Sequence, residues 1–178
     1  MNIAVYCASR PGNDPAFARD AYKVGSWIGA RGHTLVYGGS DTGLMGQVAS
    51  GSLDAGGEVI GVIPEIPELM ARKNPLLSRV IVTGDMADRR SEMIRLADGF
   101  IALPGGLGTL DEVTEVLSLK SLDLVKGRVA FLDTLGYYAK LKAAFQSILD
   151  RGFGEAAYFS QVGFLSGAEE LESFFGGE

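Results

Sequence analysis

Cysteine and histidine are almost missing from this 178-residue chain, which holds one of each, Cys7 and His33. A lone thiol closes no internal disulfide, and one thiol with one imidazole falls short of a Cys/His zinc site, so no metal is expected. A nucleophile activated by histidine would have to use His33. That residue lies in "ARGHTL", a loop entering a strand, where a solvated or locally hydrogen-bonded ring is the plainer reading. Basic charge is also in deficit, with 16 Lys and Arg against 22 Asp and Glu and a formal net charge of −6. Proteins that coat nucleic acid rely on clustered cations, so no nucleic-acid partner is expected. No apolar run is long enough for a membrane span. The opening "MNIAVYCASRPG" lacks the basic start of a signal peptide, so it reads as the first strand of a cytoplasmic protein with no membrane partner. No low-complexity tract or linker interrupts the chain, and 1–178 reads as one domain.

What the chain does have is glycine, 25 of them, gathered at the ends of short apolar runs. Those runs, at 3–7, 34–37, 59–63, 80–82, 100–103 and 129–132, show no alternation, as expected of strands covered on both faces. Helical spacing fills the intervals. Asp14 is placed to cap a helix with Pro15 at its first position, ending before Gly32. Further helices are expected from about 43 to the stop at Gly56 and Gly57, over 85–97, 109–122 and 137–151, and at 168–175. Strand–helix alternation of this kind implies right-handed crossovers, and therefore a Rossmann-like, doubly wound α/β fold with a parallel sheet between two helical layers. Residues 64–78, with three prolines, read as a long loop able to cover a site at the strand ends.

Two glycine-rich turns stand where such sheets bind ligands. In "LVYGGSDTGLMGQVA", Gly38 and Gly39 turn the chain and Gly43, Met45 and Gly46 open a helix whose N–H groups could meet a phosphate. The spacing fits neither the dinucleotide fingerprint nor the P-loop, and a merely tight turn is an equal alternative. In "IALPGGLGTLDEV", Gly105, Gly106 and Gly108 follow a strand and Thr109 stands as a helix cap. Glu112, three residues on, would complete a capping box with Thr109, and on residue pattern alone capping is its favoured role. Asp111 and Glu115 suit the start of a helix. Arg89 and Arg90 in "DMADRRSEMIRLADGF", with Arg10 after the first strand, supply positive charge for an anionic ligand.

These segments resemble the LOG ("Lonely Guy") family of cytokinin riboside 5'-monophosphate phosphoribohydrolases, long mislabelled as lysine decarboxylases. The likeness runs from about Asn2 to Gly152 through "VYCASR", "LVYGGSDTGLMGQVA", "GVIPE", "DMADRRSEMIRLADGF" and the PGGxGTxxE element at Pro104, Gly105, Gly106, Gly108, Thr109 and Glu112. The resemblance implies hydrolysis of the N-glycosidic bond of a nucleoside 5'-monophosphate to free base and ribose 5-phosphate, with no cofactor. It makes Arg89 and Glu112 the catalytic pair, overriding the capping reading, and assigns the glycine turns, with Met45 and Thr109, to the nucleotide. Met86, Arg10, Arg90 and Glu115 become candidate substrate contacts, Arg90 standing where the family has lysine. A homodimer is also implied. The alternative is a non-catalytic carrier of the same fold that binds a nucleotide or molybdenum cofactor.

Overall fold

The computed structural model describes residues 1–176, residue 158 by its backbone. Strands and helices alternate as β1 (Asn2–Tyr6), α1 (Pro15–Ala30), β2 (Thr34–Tyr37), α2 (Gly43–Asp54), β3 (Glu58–Pro64), α3 (Pro67–Met70), β4 (Arg79–Thr83) and α4 (Met86–Leu96). The chain continues through β5 (Gly99–Ala102), α5 (Leu107–Ser121), β6 (Val129–Leu132), α6 (Ala139–Asp150), α7 (Ala156–Phe159), β7 (Val162–Leu165) and α8 (Leu171–Phe175). All strand pairs are parallel, in the order β4-β3-β2-β1-β5-β6-β7. The doubly wound sheet expected from the alternation is therefore present.

The pleat explains the two layers. Ile3, Val5 and Cys7 face one core with Val24 and Ile28 of α1, Val48 of α2 and Leu171 of α8. Ala4 and Tyr6 point the other way, into a core with Met93 of α4 and Val113 and Val116 of α5. With both faces buried, apolar runs without alternation are what this sheet requires, each buried Ile, Leu or Val contributing about 1.5–3 kcal/mol.

Several boundaries differ from the sequence expectations. The seventh strand, β7, was not anticipated. It is a short edge strand broken by Gly163, where the Phe174 ring occupies the space a side chain would need. Residues 64–78 contain the short helix α3, and the helix expected from 137 starts at Ala139, after a 3-10 turn at Thr134–Gly136. The stretch at 168–175 divides into a 3-10 turn, Ala168–Glu170, and α8. The first helix begins as expected, Asp14 accepting the Ala16 N–H at 2.8 Å with Pro15 behind it.

After β4 the chain crosses back to β5 on the far side of β1. The connections leaving β1 and β5 thus part in opposite directions and open a crevice at their carboxyl ends. One hydrogen bond, Ala8 N–H to the Pro104 carbonyl at 3.3 Å, fixes the floor between them. Among the described residues no helix is long and apolar enough to cross a membrane.

Candidate active site

Two helices deliver the central pair. Asp85 caps α4 by accepting the N–H groups of Ala87 and Asp88 at 2.8 Å, and the helix then turns Arg89 and Met93 inward. Arg89 is 6% exposed and Glu112 of α5 is 7% exposed. The Arg89 Nη1 donates to Glu112 Oε1, while its Nε donates to the Val62 carbonyl at 3.2 Å, so the guanidinium is held from two sides. Gly38 completes the clamp. A Cβ at that position would collide with Arg89 Nη2, so only glycine lets the guanidinium lie against the backbone.

The helix carrying Glu112 starts earlier than the capping motif suggests. Gly106, in an extended conformation, is the N-cap, and Thr109 lies inside the first turn instead of before it. Glu112 is then too far along to reach the helix entrance and turns to Arg89; the capping box is not formed. By helix geometry the N–H groups of Leu107, Gly108 and Thr109 have no carbonyl one turn below. Nothing stands within 4 Å of where a side chain at Gly106 or Gly108 would project, so these amides open onto free space. Gly105 is different, for Thr109 packs against it.

The other glycine turn behaves otherwise. The N–H groups of Leu44 and Met45 both donate to the Ala8 carbonyl, at 3.0 and 3.3 Å, and that of Gly46 to the Thr42 carbonyl at 3.1 Å. These donors, expected to meet a phosphate, are spent on the protein itself. Gly43 takes a positive φ of 57° and lies directly against the Ser9–Arg10 backbone, which makes this turn a packing surface for the β1–α1 loop.

A cavity of about 430 Å³ brings the parts together. Arg10, Gly38, Met45, Met86, Arg89, Gly106, Gly108, Thr109 and Glu112 line it, as the sequence suggested. Gly39, Gly43 and Gly46 lie behind the wall, and Gly105 faces a neighbouring cavity. Arg90 and Glu115 are not at the cavity. Arg90 Nε donates to Glu115 at 2.7 Å and its Nη1 lies 3.4 Å from Asp111, a bridge between α4 and α5. Their expected substrate contact is replaced by a structural one, because Arg90 projects about 100° around the helix from Arg89.

Sequence reasoning missed Arg72, Ser9, Ser40 and Leu69, which also line the cavity. Ser9 and Ser40 follow the ends of β1 and β2, and that position was a usable signal. Arg72 belongs to the stretch read as a covering loop. The loop is fastened to the β2–α2 turn by Asp41 N–H to the Arg72 carbonyl at 3.1 Å and Asn74 N–H to the Gly39 carbonyl at 2.8 Å. Neither Arg10 nor Arg72 has a side-chain partner among the described residues.

Burial raises the Glu112 carboxyl above its ordinary range, and the Arg89 charge pulls it back. Burial also pushes the Cys7 thiol far up, so this cavity-lining cysteine stays protonated and is no nucleophile. The arrangement offers a sheltered carboxylate fixed by an arginine, a helix start with open amides, and two free guanidinium groups. Among the described residues no cluster of His, Cys, Asp and Glu could hold a metal ion.

A family model described as possible lysine decarboxylase matches residues 45–173. A probable cytokinin riboside 5'-monophosphate phosphoribohydrolase of Oryza sativa subsp. japonica is 41% identical over 157 residues, covering 87% of this chain and 67% of its own length. The chain belongs to the LOG family. Another LOG relative, the cytokinin riboside 5'-monophosphate phosphoribohydrolase of Arabidopsis thaliana, is 39% identical over 153 residues, 85% of this chain and 70% of that protein. The LOG-family fold is shared with the molybdenum cofactor binding protein of Rippkaea orientalis. That match has a TM-score of 0.74 at 26% identity and covers 97% of this chain and 93% of that one.

Proposed function

We propose that this chain hydrolyses the N-glycosidic bond of a nucleoside 5'-monophosphate, releasing free base and ribose 5-phosphate, as the names of its LOG relatives describe for them. The observation that carries the reading is the buried Arg89–Glu112 pair facing a cavity that also holds the open start of α5. The 5'-phosphate binds at the N–H groups of residues 107–109, where the helix dipole favours an anion, with Arg72 adding charge from the loop above. The ribose then lies along α5, with C1' toward Glu112.

Breaking the C1'–N bond sends the bonding pair to the base and builds positive charge on C1' and the ring oxygen. The Glu112 carboxylate stabilises that charge and accepts a proton as water adds to C1'. Arg89 keeps the carboxylate aimed and ionised against the burial that opposes it. Gripping the phosphate away from the reacting bond orients the sugar for attack. The chain works as a homodimer in this reading, without a cofactor.

The test is incubation with AMP and with isopentenyladenosine 5'-monophosphate, following free base by chromatography. Base released by the parent and not by Glu112→Gln supports the reading. Tight nucleotide binding without turnover supports the carrier alternative, which the likeness to the Rippkaea orientalis protein favours. Comparison of kcat/KM for the two nucleotides assigns the preferred base.

A further inference from the structure

A second cavity, about 580 Å³, opens on the far side of the α5 start. Its wall is largely apolar, built from Pro11, Phe17, Leu44, Pro104 and Tyr137, with the Phe17 and Tyr137 rings edge to face at 6.1 Å between centroids. It shares Ala8, Arg10 and Gly106 with the first cavity. The two spaces therefore meet at the open amides of α5, and an arginine without a side-chain partner stands at the junction.

This geometry matters because of which end of the ligand meets the second cavity. Resting on the proposed nucleotide reading, the phosphate lies at residues 106–109 and the sugar and base extend along Glu112 within the first cavity. The second cavity is then continuous with the phosphate and remote from the base. A group reaching it must be attached through the phosphate. We propose that the second cavity is a subsite for an aromatic ring joined to the nucleotide through a second phosphate, so that this chain accepts dinucleotides as well as monophosphates. Arg10 neutralises the added phosphate, and Phe17 and Tyr137 supply the apolar, aromatic surface for the ring. The chemistry at Glu112 is unchanged: the C1'–N bond breaks, the oxygen of water bonds to C1', one water proton is taken up with the departing base and the other remains on the new hydroxyl. The second half of the dinucleotide stays esterified to the product.

The test compares adenine release from AMP and from diadenosine 5',5'-pyrophosphate by the parent protein, allowing for the two equivalent adenines of the dinucleotide. Stacking of one base on aromatic side chains sets the expected gain, a kcat/KM about tenfold higher for the dinucleotide and carried by KM. Asn13, exposed at the second cavity, provides a block: Asn13→Trp fills the space and brings the dinucleotide down to the AMP value, with AMP kinetics unaltered. Phe17→Leu, which keeps the apolar volume and removes the ring, gives an intermediate loss. A dinucleotide no better than AMP, or an advantage that survives both substitutions, overturns the subsite and leaves the monophosphate reading standing. Absence of adenine from either compound overturns both.

Discussion

Removing one member of the Arg89–Glu112 pair exposes an asymmetry that the geometry predicts. Both side chains are under a tenth exposed, and each is the other's only charged neighbour within ion-pair distance. Breaking a buried pair from one side costs about 3–5 kcal/mol, which for a chain of this length lowers the unfolding midpoint by about 6–20 °C. The two halves are not equivalent, however. In Glu112→Leu the guanidinium remains buried and cannot shed its charge, whereas in Arg89→Met the carboxyl can take up a proton, a change that burial already favours. Glu112→Leu is therefore expected to be the more damaging at neutral pH, and the deficit of Arg89→Met should shrink as pH falls. The double variant Arg89→Met/Glu112→Leu removes both charges and should recover to within about 1 kcal/mol of the parent or exceed it, while remaining inactive. Urea denaturation of the four proteins at two pH values measures this. A double variant no more stable than Glu112→Leu, or two single variants of equal stability at every pH, refutes the account of a mutually dependent buried pair.

Because Glu112 is raised by burial, the acid limb of kcat/KM is expected above the ordinary glutamate value of about 4.3, with activity rising as the carboxylate ionises. Over the same window the native state holds the Glu112 proton more tightly than the unfolded chain does, so this group's contribution to stability falls as pH rises; a pH-rate profile beside a pH-stability profile checks both directions. Gly38→Ala should lower kcat at least about tenfold, since the added methyl must displace a guanidinium pinned by Glu112 and Val62, with normal folding by circular dichroism. Arg72→Ala should raise KM for AMP about tenfold and leave kcat nearly unchanged, because it meets the phosphate and not the reacting bond; an equal loss in kcat would contradict that placement. Tyr6→Phe should raise stability by about 1 kcal/mol in the same urea assay, as its buried hydroxyl finds no partner among the described residues.

The sheet was legible because strands covered on both faces must be continuously apolar, and β1 to β6 have that signature at nearly their observed bounds. β7 was not, since an edge strand of four residues with Gly163 in its middle carries too little apolar pattern to stand out from a loop. Within the site, Arg89, Gly106, Gly108 and Thr109 were readable from their place beside strand ends and helix starts. The role of Glu112 was not readable from the residue pattern. Thr109 and Glu112 satisfy a capping box in one dimension, and only the choice of Gly106 as cap shifts the helix by enough to exclude it. Arg90 and Glu115 failed for a related reason: helical spacing separates faces but does not say which neighbouring helix each face meets, and here the Arg90 face meets α5. The amides of Leu44 and Met45 posed a different problem, because their acceptor, Ala8, lies some three dozen residues away in the chain and no local pattern announces it.

That last contact has an effect on ligand choice. The Ala8 oxygen sits where an incoming oxyanion would otherwise dock on α2, so the protein supplies its own occupant and closes one of two competing berths. A phosphate arriving in the crevice meets a single unoccupied helix mouth and takes one orientation, with its ester arm directed along the wall that holds position 112. Discrimination against back-to-front binding is thus achieved by self-occupation, at a point where a lone carbonyl, and no charged side chain, does the excluding.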